Sequence, residues 1–421
     1  MNMPKVIKRG ILILASLTVA YFAWHTHATS RLESALEEAR AQNVPLTMAD
    51  LIQGRPAAGN AASHMYAAAI SACKAAGDVS ELALGYEPFG EEGQNAQLAE
   101  VPAELRAALP DFAEGIALLQ SAGEMGECYF PMVTGESLEE RISDWDAMGT
   151  LDLSRLLVAA ARVQMDEGDL EAAKVAVEAN LALTTAHRHE PTMVVQLVGI
   201  ITANYAARSA MLLASQLDDP AEWLASLHLL AGTEPGASTP LIAEALASEL
   251  PFLTQALAGG GASANQPPSG LFAASDMALP GEWPITAGPP YMRSAQASFI
   301  EYVTASVTIA RAPLHKAIGQ ADALAEEARD DSNSLVGAFV INASPMLQNY
   351  AASLAQTRLL LLGSKAYAHR AETGAWPTDI ASLGLSDLVD PRTGTPYELS
   401  QTGTKLTLLS QGPDSVEWVL D

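Results

Sequence analysis

Read for the spacing of its apolar positions, the chain opens on an unbroken apolar run over residues 11–24 and then settles into helical periodicity that lasts to about residue 372. Lys5, Lys8 and Arg9 precede the run. Basic residues on that flank keep the N-terminus cytoplasmic, and Tyr21 and Trp24 suit the far interface of a bilayer. The run is shorter than the ~20 residues of an ideal spanning helix. Lys8 and Arg9 can reach back to the near interface along their apolar stems. A buried soluble helix is a third reading that the basic flank argues against, and two stay open. One is an uncleaved anchor whose helix continues through the charged, amphipathic residues 31–42. The other is a signal peptide ending at Thr26-His27-Ala28, a small-x-small site. Both place the body outside the cytoplasm, as a single-pass inner-membrane protein with a periplasmic body in the first case.

Pro45 breaks the first helix. The pattern then predicts helices over 60–77 and 104–122, separated by a loop over 78–102 that is too rich in Gly and Glu to be core. Residues 152–187 hold two apolar-periodic helices around Asp166-Glu167-Gly168-Asp169, with Gly168 as the turn and Asp169 as the N-cap of the second. A helix, a tight Gly turn and a helix with Ala at close-packing positions make a tetratricopeptide-like hairpin, although no 34-residue repeat recurs. A helical-hairpin array is therefore expected. A helix over 191–217 starts on a proline, and two shorter ones run to residue 257. Residues 258–290 are dense in Gly, Pro and Ser and read as a linker or long loop. Two long helices follow, over 292–328 with a kink at Pro313 and over 345–372.

The periodicity changes after residue 373. Gly374-Ala375-Trp376-Pro377-Thr378, Asp390-Pro391-Arg392-Thr393-Gly394-Thr395-Pro396-Tyr397 and Ser410-Gln411-Gly412-Pro413-Asp414 alternate with short β-prone runs at 405–410 and 416–420. Turn residues between β-prone runs predict a small antiparallel sheet on the end of a helix. Trp376 and Pro377 are placed to pack on that helix end, and Tyr397 to cap the sheet.

This string resembles the head of the type II secretion pseudopilins. Their pattern is helix, Gly-x-aromatic-Pro-Thr, Asp-Pro-x-Gly-x-Pro-Tyr, Ser-x-Gly-Pro-Asp. The resemblance covers about the last fifth of the chain and implies an α+β head. It departs in two places. The membrane segment lies hundreds of residues upstream of the head, and no processing site precedes it. The calcium loop of that family has no counterpart after Asp414, where Ser415, Val416 and Glu417 stand. The chain as a whole is similar to a group of bacterial, planctomycete-type envelope proteins with a short anchor, a helical body and this head. That likeness is carried by residues 60–66, 128–131, 190–200 and the C-terminal string, and it brings no activity with it.

Composition narrows the classes. A chain of 421 residues, 49% hydrophobic and 17% charged, is folded and long enough for two or more domains. Its formal charge of -26 repels phosphate backbones and excludes a nucleic-acid partner. The two cysteines, Cys73 and Cys128, are either a disulfide or two buried thiols. His187, His189 and Glu190 form the densest group of potential metal ligands. At a helix end, histidines also simply complement the helix dipole. Ser71 and Lys74 match a Ser-x-x-Lys string without its companion motifs, and Asp144, Asp146 and Asp152 pair freely in a chain with 49 acids. No Gly-x-Ser-x-Gly, phosphate loop, dinucleotide fingerprint or His-Glu-x-x-His occurs. No catalytic residue, cofactor or metal is expected.

The expectation is a mainly α protein: anchor or signal peptide at 1–28, hairpin body at 29–257, linker at 258–290, long helices at 291–372, and a pseudopilin-like head at 373–421 separable at Thr373. The function class it points to is a scaffold for protein partners in the cell envelope. An extracytoplasmic hydrolase with a site assembled from distant residues is the alternative.

Overall fold

The computed structural model describes residues 5–47, 50, 53, 60–77, 82–83, 86, 88, 100–125, 128, 130, 147–186, 192–231, 242–248, 250–251, 289–330, 342–412 and 415–420. Its named helices are α1 (Lys5–Ala41), α2 (Ala61–Ala76), α3 (Ala103–Ala108), α4 (Ala113–Glu124), α5 (Ala147–Glu167), α6 (Leu170–Ala186), α7 (Met193–Ala214), α8 (Ala221–Ala231), α9 (Pro289–Ala310), α10 (Leu314–Asp330) and α11 (Ser344–Thr373). The strands β1 (Glu398–Thr402), β2 (Lys405–Ser410) and β3 (Val416–Leu420) form one antiparallel sheet in that order. The chain is thus mainly helical with a small C-terminal sheet. It divides into two interleaved compact units. The first comprises Met1–Leu51, Leu246–Ile309 and Gln320–Ala343, and the second Ile52–Ala245, Ala310–Gly319 and Ser344–Asp421.

In the first unit, α1 is one helix through the apolar run and the charged stretch. Along its later half Ala28, Ala35 and Ala39 are buried. Their spacing of seven and four residues puts them on one face. Polar bonds then tie α1 to α9. Arg293 donates to Thr29 Oγ1 at 2.5 Å and lies 3.3 Å from His25 Nδ1. Arg31 forks onto Glu301 at 2.9 and 2.5 Å, and Thr308 donates to Gln42. The partners climb together along both helices, so α1 and α9 run parallel. Arg31 and Glu301 are each more than a third exposed, so their pair sets register more than it stabilises.

Prolines divide two helices that the periodicity reads as continuous. Pro313 ends one helix at Ala310, and its carbonyl accepts the first bonds of the next, from Lys316 and Ala317. It breaks the helix rather than kinking it, because it has no N–H to give and its ring clashes with the preceding turn. Pro110 likewise splits the segment over 104–122 with a 3-10 turn at Leu109–Phe112.

In the second unit, α5 and α6 form the expected hairpin. Gly168 takes φ +78°, and Asp169 Oδ1 caps Ala172 N at 3.1 Å. Asn60 caps α2 in a reciprocal box with Ser63. α4 packs on α2 and α6, and Tyr66 donates to the Ala182 carbonyl at 2.9 Å. α7 packs on α5, α6 and α11, and α11 also packs on α8. Among the described residues α7 is the helix long and apolar enough to cross a membrane, but 67% of its apolar window is buried inside the protein. It is a core helix, and the N-terminal run does not meet that criterion among the described residues. Helices buried on all sides read as apolar all round.

The sheet lies on α11. Leu406, Leu408, Trp418 and Leu420 point inward and join Leu359, Leu360, Leu362 and Ala366 in one apolar core shared with α5–α7. Burying each such side chain contributes about 1.5–3 kcal/mol. The head is therefore continuous with the helical body rather than separable at Thr373. Gly363 sits directly under Trp418, where a Cβ would overlap the indole. Gly319 in α10 has nothing within 4 Å of that position. Gly363→Ala is expected to lower stability by about 1–3 kcal/mol through overpacking. Gly319→Ala is expected to raise it by about 0.5–1 kcal/mol through backbone entropy. Urea denaturation of both variants checks the contrast, and equal effects would remove Trp418 from the α11 contact.

Candidate functional site

The turn-rich string of the head is the densest concentration of sequence-marked residues among those described. Its centre is Asp390, which has no solvent exposure. The chain turns back on itself there. Asp390 N donates to Thr395 O at 2.7 Å, Gly394 N donates to Asp390 O at 2.8 Å, and Val389 bridges Pro396. The carboxylate accepts the Arg392 N–H at 2.8 Å and the Ser410 hydroxyl at 2.6 Å. Arg392 completes an ion pair at 3.3 Å with its side chain only 6% exposed, and also donates to Ser410 Oγ. A buried charge is tolerated only when paired and hydrogen-bonded, and this one is both.

The surrounding residues close over that pair. Gly394 takes φ +73°, and a Cβ there would come within 2.9 Å of the His315 ring. It is thus held to glycine by conformation and by space. Pro391 is buried, and the Gly412 backbone lies against the Arg392 guanidinium. Tyr397 donates to the Ala355 carbonyl at 3.3 Å, and burial, reinforced by the Asp390 charge, pushes its phenol well above the usual range. Arg358 of α11 donates to the Val389 carbonyl at 2.8 Å. At the other end of the string, Trp376 donates to Thr404 O at 2.5 Å and stands edge-on to Tyr367 at 5.4 Å. Arg370 lies 4.3 Å over its ring, and Pro377 is buried beside it. The contacts of Tyr397 with Ala355, of Val389 with Arg358 and of Trp376 with Tyr367 and Arg370 fasten the head to α11. The Ser410 hydroxyl is fully buried and already bonded, so it is not presented to a substrate. The string is a structural clasp.

Reading by residue type picks out Asp390, Gly394 and Pro396 from their turn chemistry. It misses the roles of Arg392, Ser410 and His315. Arg392 and Ser410 lie within the quoted string and are marked only by standing near a carboxylate that turns out to be buried. Nothing local marks His315.

The remaining candidates stand apart from this clasp. His187, His189 and Glu190 lie outside the described residues, as do Asp144, Asp146, Pro413 and Asp414. Asp152 is buried and pairs with Arg155 at 3.4 Å. Ser71 and Lys74 are exposed on α2. Among the described residues no group of three or more His, Cys, Asp or Glu is placed to hold a metal. Cys73 and Cys128 are buried thiols and not a disulfide. The Cys73 sulfur packs where α2 meets Gly115 of α4. Comparison with family models, curated proteins and solved structures found no match.

Two outcomes are expected. Arg392→Met leaves Asp390 buried without its countercharge and costs about 3–5 kcal/mol, whereas Asp390→Ala with Arg392→Met costs less than the two singles summed. Chemical denaturation of the four-member cycle measures this, and additive costs would mean the two groups do not act as a pair. Burial pushes the Cys73 thiol up to about 11. The folded protein then keeps a proton that the unfolded chain releases from about pH 8.5. This contribution to stability is intact below that pH and is lost as pH rises through about 11. A thiol reagent at pH 8 should find no reactive cysteine in the native protein and two after denaturation. Native reactivity would contradict the burial.

Proposed function

We propose that the chain is a membrane-anchored, extracytoplasmic scaffold that binds protein partners in the cell envelope. The observation that carries the reading is the uncovered stretch of α1. Ile13, Leu14, Leu17, Val19 and Phe22 are each more than 60% exposed, and Tyr21 and Trp24 more than 40%. At 100° per residue these positions spread over about two thirds of the helix circumference, and Ala20, Ala23 and Ser16 occupy the rest. An amphipathic surface helix would leave one polar side. An uncovered apolar helix with a basic flank is what a bilayer accepts.

From Ala28 onward the same helix is seated against α9 of its own unit. The α5–α6–α7 succession of antiparallel packing supports a tetratricopeptide-like hairpin array, whose members present surfaces to peptides and proteins. The clasp supports a pseudopilin-like head as a rigid second contact in a secretion-type or envelope assembly. Its buried polar groups are used up in holding the sheet, which favours binding over catalysis.

The experiment is crosslinking in intact cells, followed by isolation of their membranes and alkaline extraction. The reading expects the full-length chain in the membrane pellet and recovery of a defined envelope protein with it. A soluble chain shortened at Ala28, or recovery of the chain alone, would count against it.

A further inference from the structure

The sheet of the head leaves the outer edge of β1 without a strand among the described residues. β1 pairs with β2 in unbroken antiparallel register, from Glu398 opposite Leu409 to Thr402 opposite Lys405. The connecting loop is Gly403-Thr404, with φ +63° at Gly403 and no positive φ at Thr404. That is a type II′ turn, and it closes on a hydrogen-bonded pair, Thr402 with Lys405. Counting back by twos, Ser400 and Glu398 also turn their backbone N–H and C=O groups toward β2. Leu399 and Gln401 therefore turn theirs outward.

Native edges are normally blunted by lysine, proline, a bulge or a cover. β1 contains no lysine, proline or bulge, and four of its five residues are exposed. The phase of this edge is complementary to itself. Antiparallel pairing about a two-fold axis through Ser400 sets Leu399 opposite Gln401 of a second copy, and Gln401 opposite its Leu399. All four residues face outward, so each pair exchanges two main-chain hydrogen bonds. Ser400 meets Ser400 in the close, non-hydrogen-bonded position. Glu398 meets Thr402, so no like charges are opposed. An axis through Leu399 would need the buried Tyr397 as a partner, and one through Gln401 would need the turn residue Gly403.

We propose that β1 is a self-association edge, at which two copies of this chain pair through β1 centred on Ser400 and join their sheets into one, with three strands from each copy. A strand from an unrelated protein could use the same hydrogen bonds, but the structure defines a partner only for the self-paired register. The pairing does not depend on the scaffold reading.

The test uses the full-length chain in detergent. In the proposed register, Ser400 and its symmetry mate have Cα atoms about 4.5 Å apart, inside the range a disulfide bridges. Thr402 and its mate are four residues out of step, about 13 Å apart or more. Under mild oxidant, Ser400→Cys should give a covalent dimer at twice the 44.1 kDa protomer mass, about tenfold more than Thr402→Cys does. The wild type should scatter light as a dimer. Gln401→Pro, which removes an outward N–H and leaves the β2 ladder intact, should return it to a monomer. A monomeric wild type, equal crosslinking at both positions, or a dimer that survives Gln401→Pro would each overturn the proposal.

Discussion

A carboxylate with no exposure to solvent must be answered from inside the protein, and the C-terminal part of this chain is arranged around answering Asp390. Arg392 supplies the countercharge, Ser410 a hydroxyl, and the Asp390 backbone closes a turn through Thr395 and Gly394. Because Ser410 ends β2 and Arg358 reaches the same turn from α11, the network ties strand, turn and helix together. The indole of Trp418 over Gly363 and the buried leucines of β2 then complete a contact that hydrogen bonds alone could not stabilise. A buried pair of this kind is a better source of a single geometry than of net stability.

The helical body rests on a different constraint, the close approach of small residues. Ala206, Ala207, Ala210 and Ala214 of α7 are fully buried, so its neighbours come near on several sides. Gly115 over Cys73 and Gly123 against Ala182 do the same where α4 meets α2 and α6. Alanine costs no side-chain entropy on burial. A body built this way reaches a dense interior with few aromatics, which is what the composition requires.

Much of this was legible along the chain. Helix periodicity, the Gly168 turn with its Asp169 cap and the small antiparallel sheet of the head follow local rules of propensity, capping and turn chemistry, whereas the Asn60 cap and the strand β1 are not read from them. The parts that were not legible depend on contacts distant in sequence. Pro313 reads as a kink, whereas one helix ends at Ala310 and another begins at Leu314. Trp376, Pro377 and Tyr397 read as packing residues and are so. The burial of Asp390, and hence the need for Arg392 and Ser410, follows only once β2 is placed. His315 over Gly394 and the parallel pairing of α1 with α9 have no local signal at all. The apolar character of α7 equally suits a core or a bilayer until its neighbours are known.

The central claim is that the head is clasped to α11 as part of one cooperative unit with the helical body. Native-state hydrogen exchange on the full-length chain tests it most directly. The account predicts that the amides of Leu406, Leu408 and Trp418 open with the same free energy as those of Leu359–Leu362, and that Asp390→Ala lowers both sets together. Early exchange of the sheet while α11 stays protected, in wild type and variant alike, would contradict it.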